Sequence, residues 1–295
     1  MFTGLSAFPL TPLREDRLDA PAFERIVRML AGSGVDSITM LGSTGSYAYL
    51  DRGERQEALA TALAAAGETP VIAGIGALRT SAVLDHAQDA QDAGAQALLL
   101  APMTYQALTE DDVFGLFSDV LERVAVPVVV YDNPGTTHFR FSDALYGRLA
   151  ALPGIASIKI PGIPAGITAA ERLAQLRDVV PPEVTIGISG DAFAADALRA
   201  GCEAWYSVIA GTLPGPALRI ARAALGGDPS ATAEAAAAMR PLWSLFARHG
   251  SLRVVAAIAE ERGLVRAHPL PLPIRGLGER ERAHVREALA AVPGG

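Results

Sequence analysis

A single lysine is the residue in this sequence best suited to covalent chemistry. Of the 25 basic residues, 24 are arginine, and Lys159 is the only lysine. Arginine cannot replace lysine where a neutral amine must attack a carbonyl, because its guanidinium stays protonated. Lys159 follows the apolar run 155–158, so it lies within or at the end of a predicted buried strand, where desolvation lowers the pKa of an amine. We interpret Lys159 as a Schiff-base nucleophile, the alternative being a rim lysine paired with a carboxylate.

Hydroxyl-bearing side chains near other predicted strand ends complement this amine. Tyr131 ends the preceding apolar run, and its phenol is able to relay protons during imine formation and carbon–carbon cleavage. Ser43 and Thr44 lie in a loop flanked by Gly42 and Gly45, where two hydroxyls and free backbone N–H groups form a small anion site. Such a site suits the carboxylate of pyruvate or another small 2-keto acid. The alternative interpretation of Tyr131 is an aromatic residue at the rim of the fold, and that of residues 42–45 is a common glycine turn.

Eight short apolar runs recur at even spacing and define the elements that must position these residues. Most are continuous, as expected for parallel strands covered on both faces, and helix-like segments separate them. Helix starts are predicted at Asp51 with Glu54, at Thr109 and at Ser142. The pattern predicts a TIM (β/α)8 barrel, with a doubly wound sheet as the alternative, although the glycine-rich turn of that fold is missing. The predicted strands are Leu5–Phe8, Ser37–Leu41, Val71–Gly74, Ala97–Leu100, Val126–Tyr131, Ile155–Ile160, Val184–Ser189 and Ala204–Val208.

The pattern changes after Leu225. A break at 226–229 precedes three predicted helices, Ser230–Arg248, Ser251–Arg262 and Glu279–Ala291. We therefore predict a catalytic barrel over residues 1–225 and a C-terminal helical region over residues 226–295.

The composition excludes several classes of protein. The net charge is −7 and no basic run is present, so neither nucleic acid nor an anionic membrane is an expected partner. The only cysteine, Cys202, excludes an internal disulfide framework. No stretch approaches the roughly 20 apolar residues of a membrane span, and no signal peptide is recognisable. The sequence predicts a soluble, cytoplasmic protein.

Three motifs follow one another along the chain: Gly42-Ser43-Thr44-Gly45, Tyr131-Asp132-Asn133-Pro134-Gly135-Thr136-Thr137 and Ile158-Lys159. Together with Thr11-Pro12 and Ser189-Gly190-Asp191, they resemble the dihydrodipicolinate synthase and N-acetylneuraminate lyase family, and the likeness covers essentially the whole chain.

The resemblance implies a role for each matching residue. Lys159 would form the Schiff base with Tyr131 as its proton-handling phenol, while Ser43 and Thr44 would bind the keto-acid carboxylate, with Thr44 also in the proton relay. Thr136, Gly190 and Val208 complete the expected substrate-binding set. The resemblance further implies a homo-oligomer, either a dimer or a tetramer built from dimers, with no metal and no organic cofactor.

Departures from the family pattern bear on the second substrate. The synthases carry a carboxylate-binding arginine where this chain has Thr136, and paired tyrosines where it has Met103 and Thr104. Tyr105, one place further on, is a possible relay substitute. Losing such an arginine contact costs about 1.5–3 kcal/mol, or tenfold to a hundredfold in specificity.

We therefore predict a class I lyase or aldolase that cleaves or forms a bond next to pyruvate or a related 2-keto acid. The alternatives are a true 4-hydroxy-tetrahydrodipicolinate synthase, and a keto-acid-binding regulator with little turnover. Residues 187–191 also permit a phosphate-binding loop, with a glycine-dependent turn as the equal alternative. No histidine or cysteine spacing indicates a metal aldolase.

Overall fold

Eight parallel strands close into a barrel in the computed structural model, which describes residues 1–294. Neighbours in the barrel follow chain order, and the first strand pairs with both the second and the last. The predicted (β/α)8 barrel is confirmed. In chain order the barrel strands are β1 (Gly4–Ala7), β4 (Ser37–Met40), β5 (Val71–Gly74), β6 (Ala97–Leu100), β7 (Val128–Tyr131), β8 (Ile155–Ile160), β9 (Thr185–Ile188) and β10 (Ala204–Ser207). Strands β2 (Leu13–Arg14) and β3 (Arg17–Leu18) lie outside the barrel.

Several strand ends differ from the prediction by one or two residues. The strand predicted to begin at Val126 begins at Val128, because Pro127 has no N–H to donate to the ladder. The last strand ends at Ser207, and Val208 already has helical backbone angles.

A small hairpin between β1 and the first helix was not predicted. It pairs β2 (Leu13–Arg14) with β3 (Arg17–Leu18) in antiparallel fashion. Its two turn residues, Glu15 and Asp16, both have positive φ, as a type I′ turn requires. Because neither is glycine, the usual turn signal is absent from the sequence.

The helices cover the outside of the barrel and its C-terminal side. The predicted helix starts at Asp51, Thr109 and Ser142 are confirmed: Asp51 with Glu54 and Thr109 with Asp112 form capping boxes, and the Ser142 side chain caps the third helix. The helices are α1 (Ala20–Ala31), α2 (Arg52–Ala65), α3 (Thr80–Ala93), α4 (Glu110–Leu121), α5 (Pro134–Thr137), α6 (Asp143–Ala150), α7 (Ala169–Arg177), α8 (Ala194–Ala200), α9 (Pro214–Leu225), α10 (Pro229–His249), α11 (Ser251–Glu261) and α12 (Glu279–Ala290). No helix in residues 1–294 is both long and apolar enough to cross a membrane.

The C-terminal helices pack directly on the barrel. α10 lies against α9, and α11 packs on α10 and α12. Buried side chains of these helices, among them Leu242 and Val254, join the same apolar core as the barrel helices. The beginning of α11 and the end of α10 therefore reach the carboxyl ends of the barrel strands.

Tyr206 fills the barrel interior beneath the carboxyl-terminal mouth. Its hydroxyl donates a hydrogen bond of 2.7 Å to Ser157 Oγ, two residues before Lys159 on the same face of β8. The ring occupies the space beside Gly187, where an added Cβ would lie 2.3 Å from Tyr206 Cε2. This packing closes the barrel below Lys159 and leaves its amine facing the mouth.

Candidate active site

Lys159 is buried on β8, between Tyr131 of β7 and Gly187 of β9 in the register of the sheet. Its side chain is 3% exposed, with Nζ 3.8 Å from the centroid of the Tyr131 ring and 4.7 Å from that of Phe8. Burial lowers the pKa of Lys159, while Tyr131 and the carboxylates of Asp191 and Asp132 act in the opposite direction. Within residues 1–294 the amine forms no salt bridge that would hold it in its charged form.

A polar cluster surrounds the Tyr131 phenol. Tyr131 and Ser43 share a hydrogen bond of 3.1 Å between their hydroxyl oxygens. Asn133 Nδ2 donates to both, at 2.8 Å to Tyr131 and 3.0 Å to Ser43, and Thr136 Oγ1 lies 3.3 Å from Ser43 Oγ. Asn133 therefore orients the phenol and the serine together, a role that the sequence analysis missed.

The loop after β4, which carries Ser43 and Thr44, has strained backbone angles on either side of these two residues. Its glycines do not supply the left-handed residues: these are Leu41 and Ser46, with φ of 55° and 54°. Gly42 is instead needed for close packing, because an added Cβ would lie 2.9 Å from the Phe8 ring. Left-handed residues other than glycine cost free energy and cluster at functional sites.

One cavity of about 540 Å³ gathers the candidate residues at the carboxyl ends of the strands. The residues brought together there from the sequence analysis are Lys159, Tyr131, Ser43, Thr44, Thr136, Gly190 and Val208. The cavity also contains aromatic and polar side chains that the sequence analysis did not single out: Phe8, Asn133, Phe193, Trp243, Phe246 and Ser251.

Tyr105, the possible relay residue, does not join this cavity. Its side chain is 88% exposed, and it is absent from the cavity lining within the described subunit. A single subunit therefore does not bring Tyr105 to Lys159.

The loop at 187–191 places a buried carboxylate, Asp191, against the N–H groups that follow the last barrel strand. Gly190 has a φ of 82°, which a glycine turn requires. The buried Asp191 carboxylate accepts hydrogen bonds from the N–H groups of Val208 and Ile209 and from Trp205 Nε1, at 3.2, 2.8 and 2.9 Å. These N–H groups, which a phosphate would need, are therefore held by Asp191, and the structure favours the turn over the phosphate-binding loop.

Asp132 lies behind Tyr131, on the side away from the cavity. Its Oδ2 accepts a hydrogen bond of 2.5 Å from the Tyr146 hydroxyl, and its buried Oδ1 has no partner. Burial raises the pKa of Asp132 to about 6, although the Tyr146 hydrogen bond and the positive charges nearby act to lower it. A second, smaller cavity of about 170 Å³ adjoins this carboxyl and contains Arg140 and Arg172.

The geometry defines a class of enzyme. A buried amine without a counter-ion, beside a phenol at the carboxyl end of a (β/α)8 barrel, is equipped to attack a carbonyl and to move the protons that imine formation requires. That arrangement belongs to the Schiff-base lyases and aldolases. No group of three histidine, cysteine, aspartate or glutamate side chains in the described part of the chain is arranged to hold a metal ion.

Comparison with known proteins identifies the family. The model of the dihydrodipicolinate synthetase family matches residues 1–292. The 4-hydroxy-tetrahydrodipicolinate synthase of Methylococcus capsulatus is 34% identical over 98% of both chains, and that of Thioalkalivibrio sulfidiphilus is 32% identical over 99% of this chain and 98% of its own. The chain belongs to the dihydrodipicolinate synthetase family and is an enzyme of the class I lyase and aldolase type.

Solved structures agree with this assignment. The dihydrodipicolinate synthase of Agrobacterium tumefaciens superposes with a TM-score of 0.96 at 45% identity, over 99% of this chain and 98% of its own. The chloride-inhibited synthase of Acinetobacter baumannii, a complex with pyruvate, gives a TM-score of 0.91 at 25% identity over 99% of both chains.

Proposed function

We propose that Lys159 forms an imine with the C2 carbonyl of pyruvate or a related small 2-keto acid. The observation that carries this proposal is the buried Lys159 amine, without a salt bridge in the described chain and with Nζ 3.8 Å from the centroid of the Tyr131 ring. The protonated imine withdraws electrons from the adjacent carbon, so that a bond next to the keto acid is formed or broken. The pyruvate complex of the Acinetobacter relative supports the choice of keto acid.

The surrounding side chains divide the remaining tasks. Tyr131 gives and takes protons, since its phenol is held by Ser43 and Asn133 at hydrogen-bonding distance. The Ser43 and Thr44 hydroxyls bind the keto-acid carboxylate, with Thr44 also in the relay. Thr136, Gly190 and Val208 line the space beyond the imine.

The identity of the second substrate distinguishes a 4-hydroxy-tetrahydrodipicolinate synthase from another class I lyase or aldolase. The relatives' name, 4-hydroxy-tetrahydrodipicolinate synthase, describes a product with two carboxylates. If pyruvate supplies one, the other substrate must bring the second, and a carboxylate needs a cationic partner to be bound out of water. The position resembling the synthases' arginine is Thr136, so we propose a class I lyase or aldolase with another second substrate.

Trapping with borohydride tests the keto-acid half. The protein is incubated with pyruvate and reduced, and its peptides are mapped by mass spectrometry; we expect a reduced pyruvate adduct on Lys159 and none in Lys159→Ala. Absence of an adduct with pyruvate and with other 2-keto acids would falsify imine chemistry. Measuring pyruvate consumption and release with candidate aldehydes and aldols then separates an enzyme from a keto-acid-binding regulator.

Assembly and location complete the proposal. We propose a homo-oligomer, either a dimer or a tetramer, because the family resemblance favours one. A cytoplasmic location is supported by the lone, buried and unpaired Cys202, which suits a reducing compartment. Sedimentation velocity at several protein concentrations tests the assembly, and a purely monomeric profile would contradict it.

A further inference from the structure

The outer half of the active-site cavity is formed by aromatic and aliphatic side chains. Phe193 lies in the turn after β9. Trp243 and Phe246 project into the cavity from α10, and Leu252 projects from α11. Trp243 and Phe246 pack edge to face with centroids 5.5 Å apart. These side chains stand opposite the strand ends that carry the keto-acid site, where the second substrate of a bond-forming reaction must approach.

Phe193 is held in this position by two glycines. Its ring lies over Gly162, where an added Cβ would be only 2.4 Å from Phe193 Cε2, and beside Gly190, where the distance would be 3.3 Å to Cδ2. The ring is nevertheless 41% exposed, and it lines both this cavity and a neighbouring surface cleft between residues 163–170 and 196–200. A large apolar ring fixed by close backbone contacts but left uncovered on one face is suited to contact a ligand.

Charge is scarce in the same cavity. Among the described residues that line it, Lys159 is the only basic one and Asp191 the only acidic one. The Asp191 carboxylate is occupied by Trp205 and by backbone N–H groups. Two arginines, Arg140 and Arg172, line the second cavity behind Asp132, and Arg172 is paired with Asp143. Once the keto acid occupies Lys159, the described subunit offers the second substrate no cation.

We propose that the second substrate is an uncharged aldehyde with an aromatic or other apolar group, contacted by Phe193, Trp243 and Phe246. This rests on the proposed imine chemistry at Lys159. In the condensation, Tyr131 has given its proton to the hydroxyl that leaves as water when the imine forms, and it then takes a proton from the methyl carbon of bound pyruvate. That carbon bonds to the aldehyde carbon, and Tyr131 returns the proton to the aldehyde oxygen. Water then hydrolyses the imine, releasing a 4-hydroxy-2-oxo acid and the free amine. No oxidant or reductant is needed, and cleavage is the reverse.

Competing aldehydes test the proposal on the intact protein. Pyruvate consumption is measured with benzaldehyde and with succinate semialdehyde, which carries a carboxylate on a short aliphatic chain in place of the aromatic ring. We expect kcat/KM for benzaldehyde to exceed that for succinate semialdehyde by about tenfold or more, because an unpaired carboxylate in this cavity loses its hydration. Equal use of both, or preference for succinate semialdehyde, overturns the proposal.

Single variants test whether the aromatic side chains of the cavity cause the preference for benzaldehyde over succinate semialdehyde, expressed as the ratio of the two kcat/KM values. Trp243→Ala should lower the ratio of the two kcat/KM values about fivefold to tenfold, while Trp243→Phe keeps most of it. Leu225→Ala, at a position 43% exposed and outside the cavity lining, should leave the ratio unchanged. Thr136→Arg, which places a cation at the cavity mouth, should shift the ratio towards succinate semialdehyde.

Borohydride trapping with pyruvate alone separates the two proposals. An adduct on Lys159 together with no turnover of benzaldehyde would refute the aromatic second substrate and leave the keto-acid proposal standing. No adduct with any 2-keto acid would remove both.

Discussion

Replacing Asp132 with asparagine tests the electrostatics behind Tyr131 and Lys159. The Asp132 side chain is 4% exposed, with one oxygen bound to the Tyr146 hydroxyl and the other without a partner. Burial raises the pKa of Asp132 from 3.8 to about 6. Between these values the folded protein binds more protons than the unfolded chain, so the wild-type protein loses stability as the pH rises from about 4 to about 6.

The magnitude follows from this difference in pKa. At about 1.4 kcal/mol per pKa unit, the ionised carboxylate lowers the free energy of unfolding by about 3 kcal/mol at pH 7.5 and by about 1 kcal/mol at pH 4.5. Asparagine cannot ionise and still accepts the Tyr146 hydrogen bond, but its amide N–H group next to the unpaired position costs about 1 kcal/mol. We expect Asp132→Asn to be more stable than wild type by about 2 kcal/mol at pH 7.5 and nearly equal to it at pH 4.5.

Urea unfolding followed by circular dichroism at pH 4.5, 6.0 and 7.5, at one protein concentration, measures this difference. Asp119→Asn is the matched control, because Asp119 is an exposed residue of α4 and the same substitution there removes a carboxylate that is not buried. If Asp132→Asn is destabilised by the same amount at all three values, Asp132 does not titrate as a strained buried carboxyl.

Three further predictions concern the same region. Tyr131→Phe should lower kcat by about 10²–10⁴-fold in steady-state assays while the borohydride adduct on Lys159 still forms; unchanged turnover would remove Tyr131 from proton transfer. Lys159→Met should raise the free energy of unfolding by about 1–3 kcal/mol at pH 7. Because burial lowers the pKa of Lys159, the unfolded wild-type chain binds more protons than the folded protein, and wild type becomes more stable as the pH rises. The stability advantage of Lys159→Met should therefore shrink towards pH 10, and an advantage that grows with pH would show that burial does not lower this pKa. Gly187→Ala should destabilise the protein by about 1–3 kcal/mol or more in thermal unfolding, since its Cβ would meet the Tyr206 ring, and a neutral result would show that the ring moves aside.

Much of the fold could be predicted because the barrel strands are buried on both faces and read as continuous apolar runs. Four-residue strands such as Val71–Gly74 and Ala97–Leu100 were located to the residue. The start at Val128 was readable from Pro127, which has no N–H to donate, whereas the end at Ser207 depended on hydrogen bonding between strands, which local sequence does not encode fully. The β2–β3 hairpin escaped prediction because Glu15 and Asp16 adopt left-handed angles that favour other residue types.

The site was predictable only where it is built from strand ends. Lys159 and Tyr131 could be singled out because parallel strands point their carboxyl ends to one side of a barrel. Trp243 and Phe246 belong to a helix far along the chain, and their part in the cavity depends on how that helix packs. Asn133 was within a recognised motif, but its double hydrogen bond becomes visible only when the loop after β4 is placed beside it.

The two sides of the cavity come from different parts of the chain, and this has a consequence for how the enzyme can diversify. Lys159 and Tyr131 are fixed by neighbouring strands of the barrel, whereas much of the outer, apolar part of the cavity is carried by α10 and the start of α11, within residues 229–261. Exchanging residues 229–261 with the matching segment of a relative would replace the apolar side chains that this segment contributes to the cavity and would keep Lys159 and Tyr131. Recombination within the gene would then change the substrate range while Lys159 and Tyr131 stay in place.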